Sequence, residues 1–235
     1  DTLEGGFNSN STEPENDTLF GGSGDDSINA NVGDDLITGD GGRDWIQAGV
    51  GNDTAYGGAD NDVMYGNENN DHLYGDGGND IIAGGPGDDY VSGGDGNDTV
   101  RGDNALGSAI MPGTDTVDGG AGDDLVQGGY GTDILLGGTG RDLLDGGGDA
   151  DTLTGDEGFD TFIAGDQATI TDFNLAAGQN YNDGDHTNND FVDLSGYYNQ
   201  NNLDAYNDQA ILNGDDTYGN PLAWMRADQA DGTLD

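Results

Sequence analysis

GDGGNDIIA, GGPGDDYVS and GGDGNDTVR follow one another without a gap from Gly75 to Arg101. Each nine-residue unit carries Asp at its sixth position (Asp80, Asp89, Asp98) and an apolar residue at its eighth (Ile82, Val91, Val100). A short fixed period marks a repeat architecture and has to be read before any local propensity. The register extends back to Asp1 and forward to Asp160, so that 17 aspartates share it, each with an apolar residue two places on.

Within a unit the first six residues must turn sharply. Gly at positions one, two and four is expected to take positive φ there. Where Gly is missing at position two the residues are Asn31, Asp40, Asn67, Asp76, Asp103 and Asp156, the other types that visit the left-handed region. The last three residues, polar–apolar–polar, predict a short strand whose middle side chain points inward. Two units then make one coil of a parallel solenoid. Seventeen half-coils stacked with a rise of roughly 4.8 Å per coil give a rod about 40 Å long. The expected fold is all-β: a parallel β-roll over 1–163, with a small mixed α/β cap over 164–235.

Two insertions break the period, near 8–14 and at 105–112. Alternate units turn on opposite edges of such a rod, and both insertions fall on the same edge, which is therefore expected to be the more variable one. Past Ala164 the period is lost. TITDFN (Thr169–Asn174) and DFVDLS (Asp190–Ser195) read as strands, with an Asn/Asp/Gly-rich loop between them. Asn202–Leu212 has helical spacing. Asn220-Pro221 opens a second helix. This apolar tail is expected to cover the open end of the core. Asp1-Thr2-Leu3-Glu4 reads as the end of a unit already under way, so the parent chain is expected to extend further.

Composition limits what such a rod can be. The 235 residues include 47 Gly, 48 acids and 4 bases, for a formal net charge of −44. That combination ordinarily describes a disordered chain. The period overrules it only if the acids are neutralised, because self-repulsion of this size opposes any compact state. The metal-free chain is expected to be unfolded. Nucleic acid and anionic membrane surfaces are excluded as partners on sign, unless metal ions bridge them. No apolar run is long enough to insert into a membrane. There is no Cys for disulfides or thiolate sites.

Stacked turns bring the position-six aspartates of neighbouring coils together. Carboxylates and Gly-rich-turn carbonyls, with no soft ligands, make sites for a hard cation. Ca²⁺ is favoured over Mg²⁺ because a flexible, oxygen-rich turn suits the larger ion. The position-six candidates are Asp17, Asp26, Asp35, Asp44, Asp53, Asp62, Asp71, Asp80, Asp89, Asp98, Asp115, Asp124, Asp133, Asp142, Asp151 and Asp160.

The pattern GGxGxDxUx, intact in GGSGDDSIN, GGPGDDYVS, GGDGNDTVR and GGAGDDLVQ, resembles the RTX nonapeptide repeat family: calcium-binding parallel β-rolls of bacterial proteins exported by type I secretion. The resemblance spans Asp1 to about Ile163. It implies one Ca²⁺ between each turn and the next on the same edge, held by turn carbonyls and the position-six Asp. It also implies a contribution from Asp or Asn at position five: here Asp25, Asp34, Asn52, Asn61, Asn70, Asn79, Asp88, Asn97 and Asp123. Position five departs from that pattern at Arg43, Thr114, Thr132, Arg141, Ala150 and Phe159, which weakens the expectation for the last turns. The tail is similar to segments that follow the repeats in some secreted alphaproteobacterial proteins, ahead of a self-processing Hint domain.

Two outward-facing groups stand apart from the repeat. His72, Tyr74, Tyr90 and Tyr56 are expected on one sheet face, where they could stack on sugars or dock a partner. Trp45, Val63, Tyr65 and Ile81 form an apolar stripe on the other, suited to a protein contact. No HExxH, GxSxG or paired nucleophile and base occurs, so no catalysis is expected. The expected function is a calcium-binding, extracellular, structural or adhesive module of a longer secreted protein, folding outside the cell. Its partners are calcium ions, and either further copies of itself or cell-surface components. The rival reading is the export and folding module of a secreted protease or lipase.

Overall fold

The computed structural model describes residues 2–5, 15–103, 113–163, 168–171 and 191–193. Both insertions, the 178–189 loop and the two tail helices expected from sequence lie outside the described residues. A compact unit runs to Val192, and a second begins at Asp193.

Every described strand pairing is parallel, as a solenoid requires. One sheet orders β1 (Thr2–Glu4), β3 (Ser27–Asn29), β5 (Trp45–Val50), β7 (Val63–Glu68), β9 (Ile81–Ala83), β11 (Thr99–Arg101), β13 (Leu125–Gly129), β15 (Leu143–Gly147), β17 (Thr161–Ile163) and β19 (Phe191–Asp193). The other orders β2 (Thr18–Ser23), β4 (Leu36–Gly41), β6 (Thr54–Ala59), β8 (His72–Gly77), β10 (Tyr90–Asp95), β12 (Thr116–Ala121), β14 (Ile134–Gly140), β16 (Thr152–Gly158) and β18 (Thr169–Ile170). Odd and even strands alternate along the chain, so each pair of units closes one coil. The protein is thus a parallel β-roll, and no helix occurs among the described residues.

The strands are longer than the three residues expected. β4, β6, β8 and β10 each run six residues, because the main chain keeps its ladder bonds through the first half of the turn. Gly and Asp at those places have no side chain that would oppose an extended backbone pressed against its neighbour.

The core is one row of position-eight side chains per sheet. Ile28, Ile37, Ile46, Met64, Leu73, Ile82, Val91, Leu135, Leu144 and Phe162 are fully buried, while Leu3 and Leu19 at the first coil are partly covered. At the far end Ala168 and Ile170 pack against that core. There β18 joins β16 one residue out of step, pairing Leu153 with Ile170. The strand expected in TITDFN therefore does extend the roll after the nonapeptide period has ended.

Neighbouring positions on one strand give a direct measure of this core. Leu135 is inaccessible and Ile134, one residue earlier, is 44 % exposed. Leu135→Ala is expected to cost about 2–5 kcal/mol in urea unfolding at saturating Ca²⁺. Ile134→Ala is expected to change stability by only about 0.5 kcal/mol. Equal losses would mean that the two faces of β14 are not inside and outside.

Candidate metal centres at the two turn edges

Turns from odd to even strands stack on one edge of the roll, and turns from even to odd strands on the other. Positive φ confirms the left-handed turns at Asn31, Asp40, Asn67, Asp76 and Asp156. It also places Asp60, Asn69 and Asp149 in that region at position four, where the same short polar side chains replace Gly. Asp103 departs from the expectation and has no positive φ. It sits in the interrupted unit, and its carboxylate accepts the Tyr130 N–H of the next coil at 2.7 Å.

Position one corrects the reading of its glycines. These residues do not have positive φ. They are Gly because of what lies beside them: a Cβ at Gly39 would fall 2.3 Å from Asp44 Oδ2 and 2.5 Å from the Gly57 carbonyl oxygen. The same clash with the unit's own Asp recurs at Gly66, Gly75, Gly84 and Gly93. Ala30 and Ala48 take this place in two turns, and their methyls join the core.

The position-six aspartates form a continuous column on each edge. In each, the main-chain N–H of one Asp donates to Oδ1 of the Asp one coil later: Asp53 to Asp71, Asp71 to Asp89, Asp89 to Asp115 on one edge; Asp62 to Asp80, Asp80 to Asp98, Asp98 to Asp124 on the other, at 2.7–2.8 Å. The columns begin with Asp17 and Asp26 and end with Asp151 and Asp160. All of these side chains from Asp26 on are buried.

Position five builds a second, exposed ladder running the opposite way. Here the side chain reaches forward: Asp34 Oδ1 accepts from Asn52 N–H, Asn52 from Asn70, Asn70 from Asp88, and Asp88 from Thr114, at 2.8–3.2 Å. On the other edge Asp25 serves Arg43, Asn61 serves Asn79, Asn79 serves Asn97, Asn97 serves Asp123, and Asp123 serves Arg141. Asn16, missed in the sequence, opens the first of these ladders by accepting from Asp34. Its signal was its place immediately before an in-register Asp. Where Arg141 offers no acceptor, the Phe159 N–H donates to the Gly140 carbonyl instead.

The sites therefore divide into two kinds of oxygen. Position-five oxygens are exposed and already serve an N–H. At position six, Oδ1 serves the ladder, while Oδ2 of Asp35, Asp44, Asp53, Asp62, Asp71, Asp80, Asp89, Asp98, Asp115, Asp124, Asp133 and Asp142 is buried with no hydrogen-bond donor. A buried acceptor left unmade costs about 1–3 kcal/mol, and more when charged. Summed along both columns, that reaches or exceeds the roughly 5–15 kcal/mol that stabilises a whole domain.

Among the described residues no three His, Cys, Asp or Glu side chains converge. An ion held here must draw on main-chain carbonyls of the turn for most of its shell, which is the behaviour of a hard cation with oxygen preference. The donor set fits calcium.

Burial drives the carboxyls upward in pKa, with neighbouring aspartates adding to it. Asp89 and Asp115 rise to about 8, Asp71, Asp80 and Asp142 to about 7, and Asp53, Asp62, Asp124 and Asp133 to about 6. A carboxyl raised on folding binds its proton more tightly in the folded chain. The metal-free roll is thus most favoured below the ordinary carboxylate range, and loses stability as pH climbs from about 4 to about 8. Circular dichroism of the calcium-free chain is expected to show more β structure at pH 4 than at pH 8. The Ca²⁺ midpoint is expected to rise as pH falls from 8 to 6, because protons and Ca²⁺ compete for the same oxygens. A midpoint unchanged across that interval would contradict this.

Two other expectations concern the outer faces. Tyr56 stacks on Tyr74 at 4.9 Å, and Tyr90 lies 5.5 Å from Tyr74 and 6.0 Å from His72, all on the even sheet. On the odd sheet the Trp45 and Tyr65 rings meet at 5.4 Å, and Trp45, Val63 and Ile81 stand in one cross-strand row.

A parallel roll whose turns enclose columns of buried, donor-less carboxylate oxygens defines a metal-binding repeat protein. The chain matches the RTX calcium-binding nonapeptide repeat (4 copies) over residues 12–46, 38–73, 74–104, 111–144, 127–162 and 145–168, together more than half its length. It belongs to that family, and its repeats bind Ca²⁺ at multiple sites. No curated protein and no solved structure matches it.

Proposed function

We propose that the position-six aspartates from Asp17 to Asp160 are the side-chain ligands of calcium ions held between successive turns on both edges, with turn carbonyls supplying the remaining oxygens. Bound Ca²⁺ would supply the positive charge that these columns lack. The position-five residues, from Asp25 to Asp123, act mainly by tying each turn to the next and by adding negative charge at the rim. The observation that carries this assignment is the row of buried Oδ2 atoms with no donor.

The module belongs to a type I-secreted class whose repeats are structural calcium-binding elements. In this reading it is non-catalytic and works outside the cell, as a structural or adhesive segment of a longer chain. Cytosolic calcium would leave it unfolded for export, and extracellular calcium of about 10⁻⁴–10⁻³ M would fold it. The surfaces that support a structural role are long, regular and free of a catalytic constellation. Electron microscopy of the parent chain with and without Ca²⁺ tests it: fibres or lattices that appear only with calcium are expected. A dispersed, catalytically active particle in both conditions would instead favour an export module for a hydrolase.

A further inference from the structure

The odd sheet carries a shallow groove of about 380 Å³ beside its exposed tryptophan, within the roughly 300–1,000 Å³ range of ligand sites. Its lining is unlike the rest of the surface. In a chain of net charge −44, the groove presents four amides, Asn29, Asn31, Gln47 and Asn67, and one acid, Glu68.

The topology makes amides and rings contiguous. Asn29 pairs across strands with Gln47, and Gln47 with Tyr65. Trp45 lies two residues before Gln47 on β5, hence on the same face. It is 45 % exposed, with Tyr65 tilted 50° against it.

Two of the amides are fixed in place. Asn31 Nδ2 donates to the Gly5 carbonyl at 2.9 Å, and Asn67 Nδ2 to the Tyr65 carbonyl at 3.3 Å. Each is therefore held with its carbonyl oxygen left as an acceptor. Gln47 makes no hydrogen bond among the described residues and keeps both donor and acceptor.

We propose that this groove binds a neutral saccharide chain. Fixed planar amides offer the paired donor and acceptor that vicinal hydroxyls require. An exposed indole offers an apolar plane with a polar edge for the C–H face of a sugar ring. Holding the amides before binding reduces the ordering cost. Anionic ligands are disfavoured by the charge of the chain, and a purely apolar partner by the amides. The tyrosines of the even sheet do not make an equivalent site: Tyr56 and Tyr74 turn their ring faces to each other at 4.9 Å and 10°.

The inference deepens the adhesive reading above and rests on it for the presentation of this face outside the cell. The full chain, at saturating Ca²⁺, is titrated by calorimetry with cellohexaose, laminarihexaose, chitohexaose, mannohexaose and galactohexaose, and with an oligogalacturonate as the acidic control. At least one neutral hexasaccharide is expected to bind with a Kd of about 1 mM or tighter. Trp45→Ala and Gln47→Ala are each expected to weaken it about 10-fold or more, and Tyr74→Ala to leave it unchanged. Each variant is first shown to keep the wild-type Ca²⁺ midpoint, which separates a lost site from a lost fold. The proposal is overturned if no neutral hexasaccharide binds, if only the acidic control binds, or if binding survives Trp45→Ala. Any of these results, with calcium-induced folding intact, leaves the calcium assignment standing.

Discussion

In EGTA at neutral pH the chain is expected to give the far-ultraviolet circular dichroism of a coil, and millimolar Ca²⁺ is expected to restore a β spectrum in one cooperative transition. The reasoning is electrostatic. The folded turns gather buried carboxylates on each edge, and each of those that ionises at neutral pH sets like charges against one another in a medium less polar than water. The opposing apolar core is a single row per sheet. Each calcium site held at about 100 times its dissociation constant adds about 2.7 kcal/mol of stability by mass action. Many such sites reverse the balance. A β-rich spectrum in EGTA at pH 8 would show that the columns are neutralised by something other than the ion.

Asp89 gives the second large effect and separates its two oxygens. Its Oδ1 accepts the Asp71 N–H at 2.8 Å, and its Oδ2 is buried without a donor. Asp89→Asn keeps an oxygen for the ladder and replaces the other with an amide nitrogen. Asp89→Ala removes both. If Oδ2 is a calcium ligand, both variants are expected to raise the Ca²⁺ midpoint about 10-fold or more, since roughly 1.4 kcal/mol is enough for that. Asn79→Ala, which removes an exposed ladder acceptor for Asn97, is expected to shift the midpoint about 3-fold or less, in line with a net hydrogen bond of about 0.5–1.5 kcal/mol. Calcium titrations followed by circular dichroism read all three. An Asp89→Asn variant with the wild-type midpoint would restrict the residue to its ladder bond.

The period itself made most of this architecture legible. An Asp and an apolar residue two places apart, recurring every nine residues, locate both the buried carboxylates and the core, from Asp26 and Ile28 to Asp160 and Phe162. What the period conceals is direction. Position five and position six are adjacent acids or amides in the sequence, yet Asn79 reaches forward a coil while Asp80 reaches back one. Only the backbone twist through the turn distinguishes them. The glycines of position one were misread for a related reason: their constraint comes from the carboxylate five residues on, not from their own φ. Asp103 shows the limit of reading by residue type, since an Asp suited to a left-handed turn serves instead as an acceptor for Tyr130. The saccharide groove depends on cross-strand neighbours such as Gln47 and Tyr65, which are 18 residues apart and invisible to any local pattern.

The pairing of β10 with β12 has a practical consequence. Although eight extra residues precede β12, Val91 still faces Val117 and Val100 still faces Val126. The roll thus absorbs added length between β11 and β12 without disturbing the register of either sheet. The gap between β1 and β2 stands on the same edge, five coils away, or about 24 Å at the spacing of stacked strands. Foreign peptides spliced into both places would be carried at a set separation on one side of a rod, a ruler for presenting two epitopes to one receptor pair.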